Sequence, residues 1–258
     1  MADSDLNLEL LRKLQTDFIE ATTPQRERYE TPHTLTLFYP HSAHRWMNNT
    51  FPTGVPSPSD LNLVEEEHRR RGREPFFNYS PDLWPGVEEL LADRDYQMDS
   101  NGFIMVHDRS IPLPESGATR NSRENLRESW QVCDRAFGEP EREITEEALD
   151  RSYENLKAGK QISASVLCDG RVASVGAIIG SSQSAQVVAI GTLPEYRRRG
   201  YARDVVAFLL KEYYATGGDL AWLQYSQPNA GRIYESLGFT TVGRFVAQYK
   251  KTGGGGEN

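Results

Sequence analysis

The sequence predicts an α/β fold, with a mixed sheet flanked by helices in the C-terminal half and a smaller α/β domain before it. Three observations carry this. Beyond residue 121 the apolar period switches repeatedly between that of helices and that of strands, in the order ααβββαβαβ. The dipeptide Asp169-Gly170 sits between two alternating runs, as a two-residue hairpin requires. Residues 111–125 (IPLPESGATRNSREN) are rich in Pro, Ser, Gly, Asn and charge, and divide the regular half from one dense in aromatics and prolines. The expected organisation is an N-terminal domain over 1–110, a linker over 111–125, a second domain over 126–250 and a flexible tail over 251–258.

In the second domain, Asn121 and Glu124 are spaced as a capping box, and Leu126, Trp130, Cys133 and Phe137 follow at helical spacing. Ile144, Ala148, Leu149, Tyr153 and Leu156 predict a second helix. Strands are expected over 162–168, 171–180 and 185–192. Ala202, Val205, Val206, Leu209, Leu210 and Tyr213 form one apolar helix face that Gly217-Gly218 terminates. A strand over 220–225, a short helix over 230–237 and a strand over 239–249 complete it. In the first half, Leu10, Leu11, Leu14 and Phe18 predict an opening helix, 34–39 a strand, 87–91 a helix and 103–106 a strand. Between Pro40 and Pro85 the pattern specifies nothing.

Composition bounds the function. The chain has 258 residues, a net charge of −8 and 38% hydrophobic residues. That suffices for a core under a heavily charged surface. The acidic balance argues against nucleic acid and for a cationic partner. The sequence has no apolar run long enough to span a bilayer, and its first residues lack a signal-peptide layout. Two cysteines, Cys133 and Cys168, are expected as buried free thiols, in keeping with a reducing, cytoplasmic location. The pair His41 and His44 lacks a third ligand nearby, so no metal is expected. Arg69-Arg-Arg-Gly72 belongs to a run, Glu65–Arg73, that reads as a solvated charged face.

The chemistry concentrates in Thr192-Leu-Pro-Glu-Tyr-Arg-Arg-Arg-Gly-Tyr-Ala-Arg203. A strand ends, Pro194 turns the chain, and Gly200 opens an amphipathic helix. The first N–H groups of such a helix lack intrahelical acceptors and carry the positive dipole end. Gly200 lets an anion approach the backbone, and Arg197, Arg198, Arg199 and Arg203 surround it with positive charge. These are the parts of a pyrophosphate cradle. It is neither a Walker loop nor a dinucleotide fingerprint, lacking Gly-Lys-Ser/Thr and further glycines.

Arg197-x-x-Gly200-x-Ala202 resembles the Arg/Gln-x-x-Gly-x-Gly/Ala signature of the GCN5-related N-acetyltransferases (GNAT). The preceding strand Ile190–Tyr196, the long helix after the loop and Ile233-Tyr-Glu-Ser-Leu-Gly-Phe239 extend the likeness over about 122–250. The resemblance implies an acetyl-CoA-dependent N-acetyltransferase that needs no metal. In similar enzymes the strand backbone at Ile190, Gly191 and Thr192 would bind the pantetheine arm and hold the oxyanion, and 198–203, with Tyr201 and Ala202 among them, would take the pyrophosphate. Tyr234 matches the general acid for the departing thiolate. Two positions depart from the family. Gln227 stands where an Asn is common, and Gln186 stands where many relatives carry a Glu base. The acceptor would be an amine of a small molecule or peptide, in a monomer or homodimer. Two other functions stay open: a CoA-binding sensor or scaffold without catalysis, and an acyltransferase using another acyl group or a hydroxyl acceptor. The first half is expected as a degenerate second copy of the same fold or a cap, with some of Trp46, Phe51, Phe76, Phe77, Tyr79 and Trp84 lining an acceptor pocket and most of them core.

Overall fold

The computed structural model describes residues 3–251, so the expected tail lies, apart from Lys251, outside the described residues. The chain forms two compact units, one running to Ile104 and resuming at Val242, the other from Met105 to Thr241.

The first unit contains α1 (Asp3–Thr22), β1 (Glu27–Thr31), β2 (Thr34–Phe38), β3 (Asn49–Pro52), α2 (Pro58–Arg70), β4 (Phe76–Tyr79), α3 (Val87–Ala92) and most of β5 (Gln97–His107). Its strands order as β1-β2-β3-β4, and the end of the chain pairs antiparallel with β4, Val246 opposite Tyr79. That pairing draws residues 246–249 out of the second domain expected from sequence. The unreadable stretch after Pro40 folds on α2, which opens with a capping box. Ser57 Oγ accepts from Asp60 N at 3.1 Å, and Ser57 N donates to Asp60 Oδ2 at 2.8 Å. The run Glu65–Arg73 is not wholly solvated, since Glu67 and His68 are buried. Arg70 and Arg71 both donate to Glu67 and hold its carboxyl near 2, whereas burial pushes the His68 imidazole down to about 3. Phe51, Phe76, Phe77 and Tyr79 are buried; Trp46 and Trp84 are half-buried.

The second unit contains β6 (Thr119–Arg120), α4 (Leu126–Phe137), α5 (Glu146–Lys157), β7 (Gln161–Cys168), β8 (Arg171–Gly180), β9 (Ser184–Thr192), α6 (Tyr201–Ala215), β10 (Leu220–Tyr225), α7 (Pro228–Glu235) and the start of β11 (Phe239–Tyr249). Its order is β10-β9-β8-β7-β6, antiparallel except for the parallel pair β9–β10, hence mixed. Asp169 and Gly170 both have positive φ, 52° and 77°, as the hairpin turn demands. Successive residues of β8 face opposite helices: Val175 packs with Val132 of α4, while Gly176 faces Val205 of α6. Val205, Val206, Leu209 and Leu210 are fully buried, each contributing about 1.5–3 kcal/mol.

Two expectations need correction. The capping box at Asn121 and Glu124 does not form. The Asn121 amide instead donates to Ser163 Oγ at 2.7 Å, and the helix starts later, with Asn125 at its N-cap and no side-chain cap. The segment 111–125 is not a free tether. Leu113 packs on the core under α6, Ala118 is buried, and Ser116 Oγ donates to the Asp204 carbonyl at 2.8 Å.

Gly176 is required by packing. A Cβ there would lie 2.3 Å from Ile190 Cδ1 and 2.7 Å from Val205 Cγ1. Gly176→Ala is expected to destabilise the protein by about 1–3 kcal/mol, measured by chemical denaturation, because α6 must lift from the sheet. An unchanged midpoint would show that Ile190 and Val205 repack freely.

Candidate active site

The site grows from an irregularity in β9. Pairing with β8 jumps from Val175↔Gly191 to Ala177↔Val188, setting Ala189 and Ile190 against the single residue Gly176. This is a β-bulge, and Ala189 carries a φ of 56°. A left-handed alanine costs about 1–3 kcal/mol and persists only where its surroundings hold it. On the other side, the parallel pairing of β9 with β10 runs from Ser184↔Leu220 to Val187↔Leu223 and stops, although β9 continues to Thr192 and β10 to Tyr225. The reactive stretch expected at Ile190, Gly191 and Thr192 lies just beyond this point.

Each of those three residues is held. Ile190 packs against the core under α6. A Cβ on Gly191 would stand 2.9 Å from the Ala136 Cβ, so glycine permits α4 to approach β9. Thr192 Oγ1 lies 2.8 Å from Ser174 Oγ.

After Leu193 and a short turn at Pro194–Tyr196 the chain enters the arginine loop. Arg198 and Gly200 both have positive φ, 62° and 85°. Gly200 is the N-cap of α6 and no side chain caps this end; the first intrahelical bond is Asp204 N to Gly200 O at 3.0 Å. The N–H groups of Tyr201, Ala202 and Arg203 precede that bond and have no intrahelical acceptor. A Cβ on Gly200 would meet nothing within 4 Å. The cradle is thus open in front of a bare helix N-terminus, and a pyrophosphate fits its donors and charge. Arg198 is exposed and Arg203 half-buried; neither makes an ion pair among the described residues. Arg199 lies over the Tyr196 ring at 5.5 Å and donates to the Glu195 carbonyl. Arg197 is turned away from the helix, with Nε donating to Thr192 O at 3.1 Å and Nη2 to Ala136 O at 3.3 Å.

Tyr234 lies on α7, only 8% exposed, its ring 5.8 Å from that of Tyr225 and 5.9 Å from that of Phe239. Burial pushes its phenol up to about 12, so it holds its proton at neutral pH. Tyr234 belongs to the same apolar cluster on which Ile190, Tyr201 and Tyr225 pack. Gln227 is exposed at the N-cap position of α7, and its side chain does not cap the helix.

Gln186 is buried within the sheet, between Ile179 of β8 and Trp222 of β10. The interior of β10, Ala221, Trp222 and Leu223, carries no carboxylate. His107 is not an available base. Its Nε2 bonds the Leu237 carbonyl at 2.9 Å, its Nδ1 accepts from the Tyr214 hydroxyl at 2.8 Å, and burial lowers its pKa. Both cysteines are free and half-buried rather than fully buried. Burial pushes the Cys133 thiol up to about 11, which keeps it protonated and makes it a poor acyl carrier. His41 and His44 are exposed, and among the described residues no three His, Cys, Asp or Glu side chains cluster to hold a metal. No helix among the described residues is long and apolar enough to cross a membrane.

Sequence reasoning missed the bulge at Ala189 and the two backbone bonds of Arg197. Only Gly176 and Gly191, glycines inside strand patterns, hinted at a close approach there.

Comparison with known proteins bears on the domain and on the fold. Residues 119–242 match the family model of an acetyltransferase (GNAT) domain. A comparison with curated proteins finds no match. Among solved structures, the chain is similar to a GCN5-related N-acetyltransferase from Kribbella flavida, with 18% identity, 94% of this chain and 96% of that one covered, and a TM-score of 0.75. A GCN5-related N-acetyltransferase from Sphaerobacter thermophilus shares 15% identity over 84% of this chain and 80% of that one, at a TM-score of 0.56. A GCN5-related N-acetyltransferase-like protein from Streptococcus suis shares 14% over 94% and 99%, also at 0.56. At these identities the structures speak for the fold, and the family model speaks for the domain. Residues 119–242 are thus an acetyltransferase (GNAT) domain, within a chain whose fold is that of the GCN5-related N-acetyltransferase structures.

Proposed function

We propose that the protein is an acetyl-CoA-dependent N-acetyltransferase that transfers the acetyl group directly to an amine. The observation that supports this reading best is the succession of a bulged β9, whose pairing to β10 stops at Val187, and an uncapped α6 start behind Gly200. CoA, when bound, supplies the acetyl thioester. Backbone N–H groups of Tyr201, Ala202 and Arg203, with Arg198 and Arg203 side chains, take its pyrophosphate. The β9 backbone at 190–192 orients the thioester carbonyl and stabilises charge developing on its oxygen. The acceptor nitrogen forms a bond to the carbonyl carbon as the carbon–sulfur bond breaks. Tyr234 delivers its proton to the leaving sulfur, and water takes the proton lost by the amine.

The site offers no carboxylate base at Gln186, and this shapes the pH dependence. An aliphatic amine with a pKa near 10.4 is neutral in about one molecule in 2,500 at pH 7. The acceptor kcat/KM is therefore expected to rise about tenfold per pH unit from 7 to 9. Tyr234, with its proton held up to about 12, adds no falling limb in that range. A plateau with an apparent pKa between 6 and 8 would reveal a protein base and refute this part of the reading. The test of the function itself is CoA release against a panel of polyamines, amino acids, aminoglycosides and peptides. Gln186 specifically favours one second reading, a CoA-binding module without catalysis. Tight CoA binding with no turnover across the panel would decide for it.

A further inference from the structure

Arg197 is the first residue of the loop signature, yet its guanidinium does not face the helix start. It forms a fork between two backbone carbonyls, Thr192 O at the end of β9 and Ala136 O in the last turn of α4. Both are sensible partners for a cation. The final carbonyls of α4 have no intrahelical donor and form the negative end of its dipole, and β9 ends at Thr192. The same turn of α4 touches the reactive strand, because Gly191 exists to admit Ala136. Arg135 adds a second tie, to Glu195 at 3.6 Å. Three pieces thus meet at one side chain: the cradle loop, the bulged end of β9 and the terminus of α4, where Phe137 is 57% exposed.

We propose that Arg197 is a positioning residue, which holds the anion cradle in register with the end of β9 and with α4 and does not itself contact the anion. The inference rests on the CoA reading of the cradle. Two of its N–H groups are committed to carbonyls, whereas Arg198 and Arg203, which make no ion pair among the described residues, carry the charge the anion meets. The fork would also make the terminus of α4 respond to whatever occupies the cradle.

The test compares Arg197→Ala, Arg197→Gln and Arg198→Ala by calorimetric titration with CoA over a range of salt concentrations, with hydrogen exchange at residues 135–138. Arg197 is exposed, so all three variants are expected to fold. Arg197→Ala should weaken CoA binding about tenfold, the effect of one or two lost hydrogen bonds. Its salt dependence should match that of the wild type, because no charge–charge contact is lost. Arg197→Gln, which keeps an N–H donor without the charge, should recover most of the affinity. Arg198→Ala should flatten the salt dependence. Exchange at 135–138 should rise in ligand-free Arg197→Ala and fall in the wild type on adding CoA. A flattened salt dependence in Arg197→Ala with no rescue by Gln would overturn the proposal in favour of direct contact. Unchanged exchange at 135–138 in ligand-free Arg197→Ala would overturn it whatever the ligand. A wild type that binds no CoA would sink the cofactor reading instead, and the first titration shows that separately.

Discussion

Tyr234→Phe is expected to lower kcat by about 10² or more while CoA affinity changes by only a few fold, since general acid catalysis is typically worth 10² to 10⁴. A hundredfold loss corresponds to about 2.7 kcal/mol of transition-state stabilisation. The substitution removes one oxygen and keeps the ring between Tyr225 and Phe239, so the packing of α7 on the sheet should survive. Steady-state kinetics and a thermal melt on the same preparation separate the outcomes. Loss of kcat with an unchanged melt supports the acid. A fall in stability with kcat preserved would make Tyr234 a core aromatic and nothing more.

Gly200→Asp is expected to abolish the rise in melting temperature that CoA produces. A ligand that binds only the native state stabilises it by mass action, about 2.7 kcal/mol at a hundred times Kd. For a chain of this size that is a shift of about 5–10 °C. The variant should still fold, because the added Cβ meets no atom within 4 Å and Asp tolerates the left-handed conformation at φ 85° better than most residues. Its carboxylate would stand in front of the bare N–H groups of α6 and repel the pyrophosphate. Gly200→Ala is the control: it carries the backbone strain without the charge and should keep part of the shift. A full CoA shift in folded Gly200→Asp would remove the cradle from this loop.

The same pattern of residues had two fates along the chain. Ser57 and Asp60 form a capping box; Asn121 and Glu124, equally well spaced, do not, because the Asn121 side chain is turned toward Ser163 of the neighbouring strand, to which its Nδ2 donates, and the helix starts later, at Asn125. Local spacing proposes such a bond, and the nearest competing partner, distant in sequence, disposes of it. The division of the chain follows the same rule. The alternation in 239–249 marks a strand correctly, but nothing within it says that Val246 will pair with Tyr79 of the first half.

What the sequence determined by itself is what short-range physics controls. Periodicity alone places α6 and the strands around it, and Asp169-Gly170 places the hairpin because few other dipeptides accept two positive φ angles. The loop signature at Arg197, Gly200 and Ala202 is legible because its residues are consecutive at one helix start, the kind of place where the proposed anion cradle would be built. The tertiary structure alone decided the rest of the site. Ala189 has no side-chain preference for a left-handed backbone; the bulge arises where α6 presses Val205 onto Gly176 and β9 must keep its register with β8 on either side. Arg197 has the same composition-level meaning as Arg198, one residue on, yet it is drawn to Thr192 and Ala136 because the end of α4 lies there. Bulges and side-chain directions are set by contacts between segments far apart in the chain, and those contacts exist only once the sheet has formed.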